Sequence, residues 1–131
     1  MEAGGADGVG VRARHHVGVE HEARPWGEFF VLSDEVTHKV KRIVVRPGQR
    51  LSYQKHARRS EHWFVVGGTA TVTLDGVEHT VRPGEAIDIP VGTAHRVENR
   101  DGVDLVFVEV QHGSYFGEDD ITRYEDVYAR S

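Results

Sequence analysis

The sequence contains no cysteine among its 131 residues. This absence excludes disulfide bonds, thiolate metal ligands and a thiol nucleophile, and it leaves the redox compartment undetermined. No apolar run is long enough to cross a membrane, and the N-terminal residues lack the apolar core of a signal peptide. We therefore expect a soluble, cytoplasmic protein with no membrane partner.

The sequence also lacks a long block of charge of either sign. Its 16 basic and 21 acidic residues give a net charge of −5, and basic residues are dense only in the short runs 39–42 and 57–59. Nucleic acid is therefore not an expected partner, because binding to its backbone normally needs a concentrated basic face. The length supports one domain with a modest core.

A convincing helical period is absent up to residue 115. Short runs of β-branched and aromatic residues are instead separated by Gly, Pro and Asp: EFFVL, HKVKRIVV, RLSYQKH, EHWFVV, TATVTL, VEHTV, AIDIP, AHRVEN and DLVFVEVQ. The clearest hairpin has its turn at Asp75-Gly76, with alternation on both sides. About nine or ten such strands, with turn signals at regular spacing, predict an all-β sandwich or barrel.

The two ends of the sequence differ from this pattern. Residues 1–20 are rich in Gly and Ala, so we expect a flexible N-terminal arm followed by a single domain over residues 21–131. The C-terminal run GEDDITRYEDVYAR is polar with widely spaced apolar residues. For this run we expect a turn or a short helix that lies on the barrel.

Four polar residues are spaced so that their side chains can converge inside such a barrel. Gln54 and His56 project together, because residues two apart on a strand share a face. Glu61 heads the next strand after a short turn, and it faces the same interior if the two strands pair. A neighbouring strand then brings His95 to the site. Two imidazoles, one carboxylate and one amide oxygen suit zinc, manganese, iron or cobalt.

Two segments with these residues resemble the two motifs of the cupin superfamily. The first motif, G-x5-H-x-H-x3–4-E-x6-G, is matched by Gly48, Gln54 in the place of the first His, His56, Glu61 and Gly68. The second, G-x5-P-x-G-x2-H-x3-N, is matched by Gly84, Pro90, Gly92, His95 and Asn99. The resemblance implies a single-domain cupin, a double-stranded β-helix or jelly-roll barrel, with a short polar C-terminal segment.

A narrower resemblance extends from Arg24 to Arg130, with runs such as RPWGEFFVL, RSEHWFVVGGTATVT and GEDDITRYEDVYAR. These runs are similar to the C-terminal cupin domain of type II phosphomannose isomerases. That family implies metal-dependent interconversion of mannose 6-phosphate and fructose 6-phosphate through an enediol-type intermediate. It also implies a metal site of Gln, His, Glu and His, with zinc as the first expectation and manganese, cobalt, nickel or iron as alternatives.

In that family the cupin domain often follows a mannose-1-phosphate guanylyltransferase domain. The 131 residues leave no room for a nucleotide-binding half, and no Gly-rich phosphate loop precedes Arg24. We therefore do not expect guanylyltransferase activity.

Several residues are candidates for binding and activating the sugar phosphate. Ser52 shares the inward strand face with the first two proposed ligands. By resemblance, Arg59 and Lys41 are the cations that contact the phosphate or the transition state. Arg is suited to a bidentate contact with phosphate. Arg96 and Arg123 are further candidates for substrate binding at the mouth of the barrel.

Glu109 is the candidate base for proton transfer between C1 and C2. It shares one face of the strand LVFVEVQ with Gln111, whereas the valines of the strand form the opposite face. Partial burial near the metal would raise the pKa of this carboxyl, as a base for carbon acids requires. His112 and Asp119 are the alternatives.

Two other functions are alternatives to the isomerase. One is a non-catalytic cupin that binds a phosphosugar or a nucleotide sugar. The other is a metal-dependent dioxygenase, although Gln54 in place of the first His argues against it. We expect a small-molecule sugar phosphate as the ligand, and a homodimer formed by pairing of sheet edges.

Overall fold

A computed structural model describes residues 20–125 of the chain, and this part contains strands and no helix. The strands are β1 Glu20–Arg24, β2 Gly27–Asp34, β3 His38–Val45, β4 Tyr53–Lys55, β5 Arg59–Gly67, β6 Ala70–Leu74, β7 Val77–Val81, β8 Ala86–Ile89, β9 His95–Glu98, β10 Leu105–Gly113 and β11 Thr122–Glu125. The nine runs of the sequence pattern correspond to β2–β10, so the prediction of an all-β domain is confirmed.

The strands form two antiparallel sheets that enclose one core. The first sheet has the order β1-β2-β3-β10-β5-β8, and the second has the order β11-β4-β9-β6-β7. Neighbours in a sheet are therefore often distant in sequence, as β10 shows by pairing with both β3 and β5. This is the predicted jelly-roll barrel.

The expectation of a turn or short helix near the C-terminus is wrong over β11. This segment pairs with β4, so that Arg123 lies opposite Gln54 and Thr122 lies opposite Lys55. Its described side chains are exposed, and an edge strand of this kind leaves no apolar alternation to detect in the sequence. At the other end β1 begins at Glu20, and the predicted arm otherwise lies outside the described residues.

The interior is apolar at one end and polar at the other. Strand β10 shows the change along a single face: Leu105 and Phe107 are buried among apolar neighbours, whereas Glu109 and Gln111 are buried further along. The valines of β10 lie on the opposite, partly exposed face. The buried polar and charged side chains are Lys41, Ser52, His56, Arg59, Glu61, His95, Asn99, Glu109 and Gln111.

The last residues of both motifs stabilise the barrel. Gly68 has a φ of 73°, and a Cβ there would lie 2.5 Å from the carbonyl oxygen of Asp104. Asn99 is fully buried and donates from Nδ2 to the carbonyl oxygens of Val45 and Val103, each at 2.8 Å. The hairpin between β6 and β7 turns at Asp75-Gly76, as predicted, with both residues at positive φ.

Candidate metal centre and substrate cavity

Three of the four proposed ligands come together at the polar end of the barrel. His56 directly follows β4, Glu61 lies on β5, and His95 is the first residue of β9. All three are buried, and one ligand atom from each lies within 4.8 Å of the others. His56 Nε2 is 3.3 Å from Glu61 Oε2, and His95 Nε2 is 4.0 Å from Glu61 Oε1.

Main-chain carbonyl groups fix the tautomer of both imidazoles. His56 Nδ1 lies 2.7 Å from the carbonyl oxygen of Asp120, and His95 Nδ1 lies 2.9 Å from that of Thr93. Because a carbonyl oxygen only accepts, each Nδ1 carries the proton and each Nε2 keeps its lone pair. Both lone pairs therefore belong to the nitrogen atoms that approach Glu61, which is the usual arrangement for metal-binding histidines.

Gln54 lies next to this cluster. It pairs with His95 across β4 and β9, and its Nε2 donates to Ser52 Oγ at 3.0 Å. Because the amide nitrogen is used in this way, the carbonyl oxygen is the atom that Gln54 offers to a cation.

The donor set fits a divalent transition metal. Ligand atoms about 2.1 Å from a common ion lie roughly 3–4 Å apart, and the contacts of Glu61 to the two histidines fall in this interval. Two imidazoles, a carboxylate and an amide oxygen also suit zinc and its neighbours better than magnesium or calcium.

Arg59 contacts two of the ligands directly. Its Nε donates to Glu61 Oε2 at 2.8 Å, and its Nη2 donates to His56 Nε2 at 3.2 Å. Burial disfavours ionisation of Glu61, but the positive charge of Arg59, together with the interactions of His95 and His56, outweighs this effect and holds the pKa of Glu61 below its ordinary value. The buried Nη1 of Arg59 has no hydrogen-bond partner in the described part of the chain.

A cavity of about 280 Å³ opens beside the ligands. Its walls hold three carboxylates and five cations: Glu61, Glu109, Glu118, Arg24, Lys41, Arg59, Arg96 and Arg123. Except for His56, all the residues predicted for metal, substrate and catalysis line this cavity. The cavity therefore has more cations than carboxylates, although the molecule as a whole is negatively charged. This local excess of positive charge suits an anionic ligand.

Glu109 is buried in the cavity wall on β10, between β3 and β5. It lies opposite Lys41 on β3 and opposite Trp63 on β5. Burial, together with the negative charge of Glu61, raises the pKa of Glu109 to about 7, although Lys41 and Arg59 oppose this shift. A carboxyl group with this pKa can exchange a proton near neutral pH.

The two alternative bases lie elsewhere. His112 is exposed at the end of β10, and the hydroxyl of Tyr115 donates to Asp119 outside the cavity. Neither residue lines the cavity that contains Glu61 and Glu109.

Sequence reasoning missed three residues that contribute to the site. Arg24 lines the cavity from β1, and Glu118 accepts a hydrogen bond from Lys41 Nζ at 3.0 Å. Asp120 binds His56 through its main-chain oxygen. Arg24 begins the run that resembles the isomerases, which was the available signal for it. The other two lie more than 60 residues from their partners, so no local pattern indicated these contacts.

Comparison with known families identifies the relatives of this domain. A family described as "Mannose-6-phosphate isomerase C-terminal" matches residues 12–126. The chain belongs to this family. Mannose-1-phosphate guanylyltransferase ManC of Salmonella typhimurium is 45% identical over 125 residues, which cover 95% of this chain and 25% of the relative. Alginate biosynthesis protein AlgA of Pseudomonas aeruginosa is 46% identical over 82% of this chain and 22% of its own length.

The chain thus spans about a quarter of the length of these curated relatives. Among solved structures, the capsular polysaccharide assembling protein CapF of Staphylococcus aureus matches with a TM-score of 0.73 and 22% identity, over 82% of this chain and 34% of CapF. Streptomyces PAC13, solved with uridine, matches with a TM-score of 0.73 and 18% identity, over 86% of this chain and 89% of that protein. At these identities the structural matches support the fold alone.

The described residues form no helix long and apolar enough to span a membrane.

Proposed function

We propose that this domain is a metal-dependent isomerase that interconverts mannose 6-phosphate and fructose 6-phosphate. The observation that carries the proposal is the buried cluster of His56, Glu61 and His95, which opens on a cavity whose charged side chains are five cations and three carboxylates. Membership of the mannose-6-phosphate isomerase C-terminal family supports this choice of substrate. A sugar phosphate also matches the two parts of the site. The metal cluster suits hydroxyl and carbonyl oxygens, and the arginines of the cavity suit a phosphate.

His56, Glu61, His95 and the amide oxygen of Gln54 would hold the ion, with zinc as the first expectation. When bound, a divalent ion polarises a carbonyl or hydroxyl oxygen as a Lewis acid. Trp63 Nε1 donates to Glu61 Oε1 at 2.9 Å, so the carboxylate is held in place before the substrate arrives.

The phosphate would bind to the arginines at the mouth of the cavity. Arg96 on β9 and Arg123 on β11 lie on the two strands that flank β4 in the five-stranded sheet, and Arg24 lines the cavity from β1. Guanidinium groups form paired hydrogen bonds with phosphate oxygens. Ser52 is buried in the cavity wall, and its hydroxyl accepts a hydrogen bond from the proposed metal ligand Gln54.

Glu109 would transfer the proton between C2 and C1. Its pKa of about 7 allows it to take a proton from one carbon and return it to the other. Lys41 and Arg59 supply positive charge near the enediol-type intermediate, and both are buried where water screens their charges weakly.

The proposed ligands predict the outcome of single substitutions. His56→Ala and His95→Ala should each abolish binding of one equivalent of zinc, because two protein ligands and an amide oxygen form a weak site. Metal content after dialysis measures this outcome, with His79→Ala as the control because His79 is exposed. Full occupancy in either ligand variant would contradict the assignment.

Turnover tests the function itself. Protein stripped with a chelator should not convert mannose 6-phosphate in a coupled assay, and reloading with zinc, manganese or cobalt should restore conversion. Glu61→Gln should remain inactive after reloading, because it loses the charge that binds the ion. Absence of turnover in wild-type protein that carries one equivalent of metal would contradict the proposal.

A second candidate is a protein that binds a phosphosugar or nucleotide sugar without converting it. The arginines at the cavity mouth favour it, because phosphate binding by them does not require Glu109. The variant Glu109→Gln separates the two functions. An isomerase should bind mannose 6-phosphate in this variant but lose 10²–10⁴-fold in kcat, whereas a binding protein shows no turnover before or after the change.

A further inference from the structure

Residues 114–121 form a loop, here called the 114–121 loop, that connects β10 to β11. The loop lies against the turn that follows β4, which contains the proposed ligand His56. The amide of Ser114 donates to the carbonyl oxygen of Arg58 at 3.0 Å, and at the far end of the loop β11 pairs with β4. The loop is therefore held at its first residue by the turn after β4 and at its C-terminal end by the pairing of β11 with β4.

Asp120 makes the closest contacts between the loop and that turn. Its carboxylate accepts the backbone N–H of Ala57 at 3.0 Å through Oδ1 and that of Arg58 at 2.9 Å through Oδ2. Its main-chain oxygen accepts the Nδ1 proton of His56 at 2.7 Å. One residue thus holds the imidazole of His56 and the two peptide groups that follow it.

These contacts decide where the metal-binding atom of His56 lies. The hydrogen bond to Nδ1 leaves the lone pair on Nε2, which lies 3.3 Å from Glu61 Oε2. The direction of that lone pair depends on the position of the Asp120 carbonyl, and the Asp120 carboxylate anchors this carbonyl to the turn. No substitution at position 120 removes the carbonyl group, but loss of the carboxylate removes its anchor.

The same loop also contacts the opposite wall of the cavity. Glu118 accepts a hydrogen bond from Lys41 Nζ at 3.0 Å, and Lys41 lies on β3 in the other sheet. Docking of the loop is thus shared between the metal-binding turn and the wall that carries the proposed catalytic cation.

We propose that Asp120 is a positioning residue that couples docking of the 114–121 loop to divalent-metal binding through His56. The proposal rests on the metal site of the proposed function. It predicts that the loop is more ordered when metal is bound, and that the affinity for metal falls when the loop loses its anchor.

Metal affinity gives the first test. Loss of a residue that orients a ligand typically weakens metal binding 10–100-fold, and we expect this loss for zinc in Asp120→Ala. Asp120→Asn should show a smaller loss, because it keeps one of the two accepting oxygens and replaces the other with an NH2 group, which cannot accept. Asp119→Asn is the matched control, because Asp119 is the neighbouring carboxylate and it contacts Tyr115 rather than the turn.

Hydrogen exchange gives a readout that does not depend on activity. Adding zinc to the chelated wild-type protein should slow amide exchange within residues 114–121, and this protection should be largely lost in Asp120→Ala. A role confined to stability would instead lower the melting temperature of the chelated variant and leave the zinc dissociation constant unchanged. That result would overturn the proposal.

The design separates this proposal from the proposed function. Wild-type protein that binds no zinc would overturn the metal site and this proposal together. Wild-type protein that binds zinc, with Asp120 variants that bind it equally well, would overturn this proposal alone. If Asp120→Ala does not fold, Asp120→Asn decides the matter, since equal affinity in a folded Asn variant also contradicts coupling.

Discussion

Glu61 and Glu109 are buried carboxyl groups on neighbouring strands, and their surroundings shift their pKa values in opposite directions. Burial disfavours the charge of each. Arg59 and the two histidines overcome this effect at Glu61, so its pKa is lowered. At Glu109 burial and the charge of Glu61 prevail over Lys41 and Arg59, so its pKa is raised to about 7. Such a pair provides one permanent anion for a cation and one group that exchanges protons.

The raised pKa of Glu109 predicts a pH-dependent effect on stability in the chelated protein. Between pH 4.5 and 7 the folded chain keeps a proton that the unfolded chain has lost, so the contribution of Glu109 to stability decreases as pH rises. Glu109→Gln removes this dependence. The free energy of unfolding of the variant should therefore rise relative to wild type by on the order of 3 kcal/mol from pH 4.5 to pH 8.

Urea unfolding at several pH values, in the presence of chelator, measures this difference. Substitution of the exposed Glu35 by Gln controls for the loss of one carboxylate. A difference between Glu109→Gln and wild type that does not change with pH would contradict the raised pKa.

The sequence was most informative where chemistry and spacing were local. Gln54 and His56 are two residues apart on one segment, and Glu61 follows a short turn, so strand alternation was sufficient to predict that they meet. The contact between His56 and Asp120 spans 64 residues and uses a main-chain oxygen, which has no side-chain signature. Residues that orient the ligands were therefore not predictable in the way the ligands were.

At the level of strands, alternation and turn residues predicted β2–β10, and the segments at the two ends were harder. Strand β11 is an exposed edge strand whose stability depends on β4, a strand that begins about 70 residues earlier in the chain. It is a strand because it pairs with a remote partner, and since neither face is buried its sequence shows no apolar alternation. Period-2 patterns detect burial, and for this reason they missed β11.

Two glycines in turns between strands should differ in how much stability their replacement by alanine costs. Gly68 and Gly84 both have positive φ, but a Cβ would lie 2.5 Å from Asp104 O at Gly68 and would meet nothing within 4 Å at Gly84. Gly84→Ala should cost about 1–2 kcal/mol, the usual penalty for left-handed backbone. Gly68→Ala should cost more than about 4 kcal/mol, because the backbone atoms of Asp104 and Leu105, at the start of β10, must also move.

Chemical unfolding of both variants measures the contrast. Equal losses of stability at the two positions would contradict the close approach of residues 104–105 to Gly68.

For the whole molecule, the distribution of charge is more informative than its total. The chain has a net charge of −5, yet five cations and three carboxylates line the cavity. A negative exterior with a positive cavity favours a small anion over a large one, because a polyanion would also approach the negative surface. The fold alone does not specify a function, so the proposal depends on this cavity and on the family.

Homodimerisation by pairing of sheet edges stays a prediction. The edge strands are β1 and β8 in one sheet and β11 and β7 in the other. Phe64 and Val66 are about half exposed on the outer face of the six-stranded sheet.

The most direct measurement of the central claim is isomerisation of mannose 6-phosphate in D2O, followed by NMR, with protein that carries one equivalent of zinc. The account predicts that fructose 6-phosphate forms and that deuterium enters at C1 or C2, because a carboxyl group near neutral pKa exchanges its proton with solvent between transfers. The zinc-loaded Glu109→Gln variant should show neither change. Zinc-loaded wild-type protein that produces no fructose 6-phosphate would contradict the account.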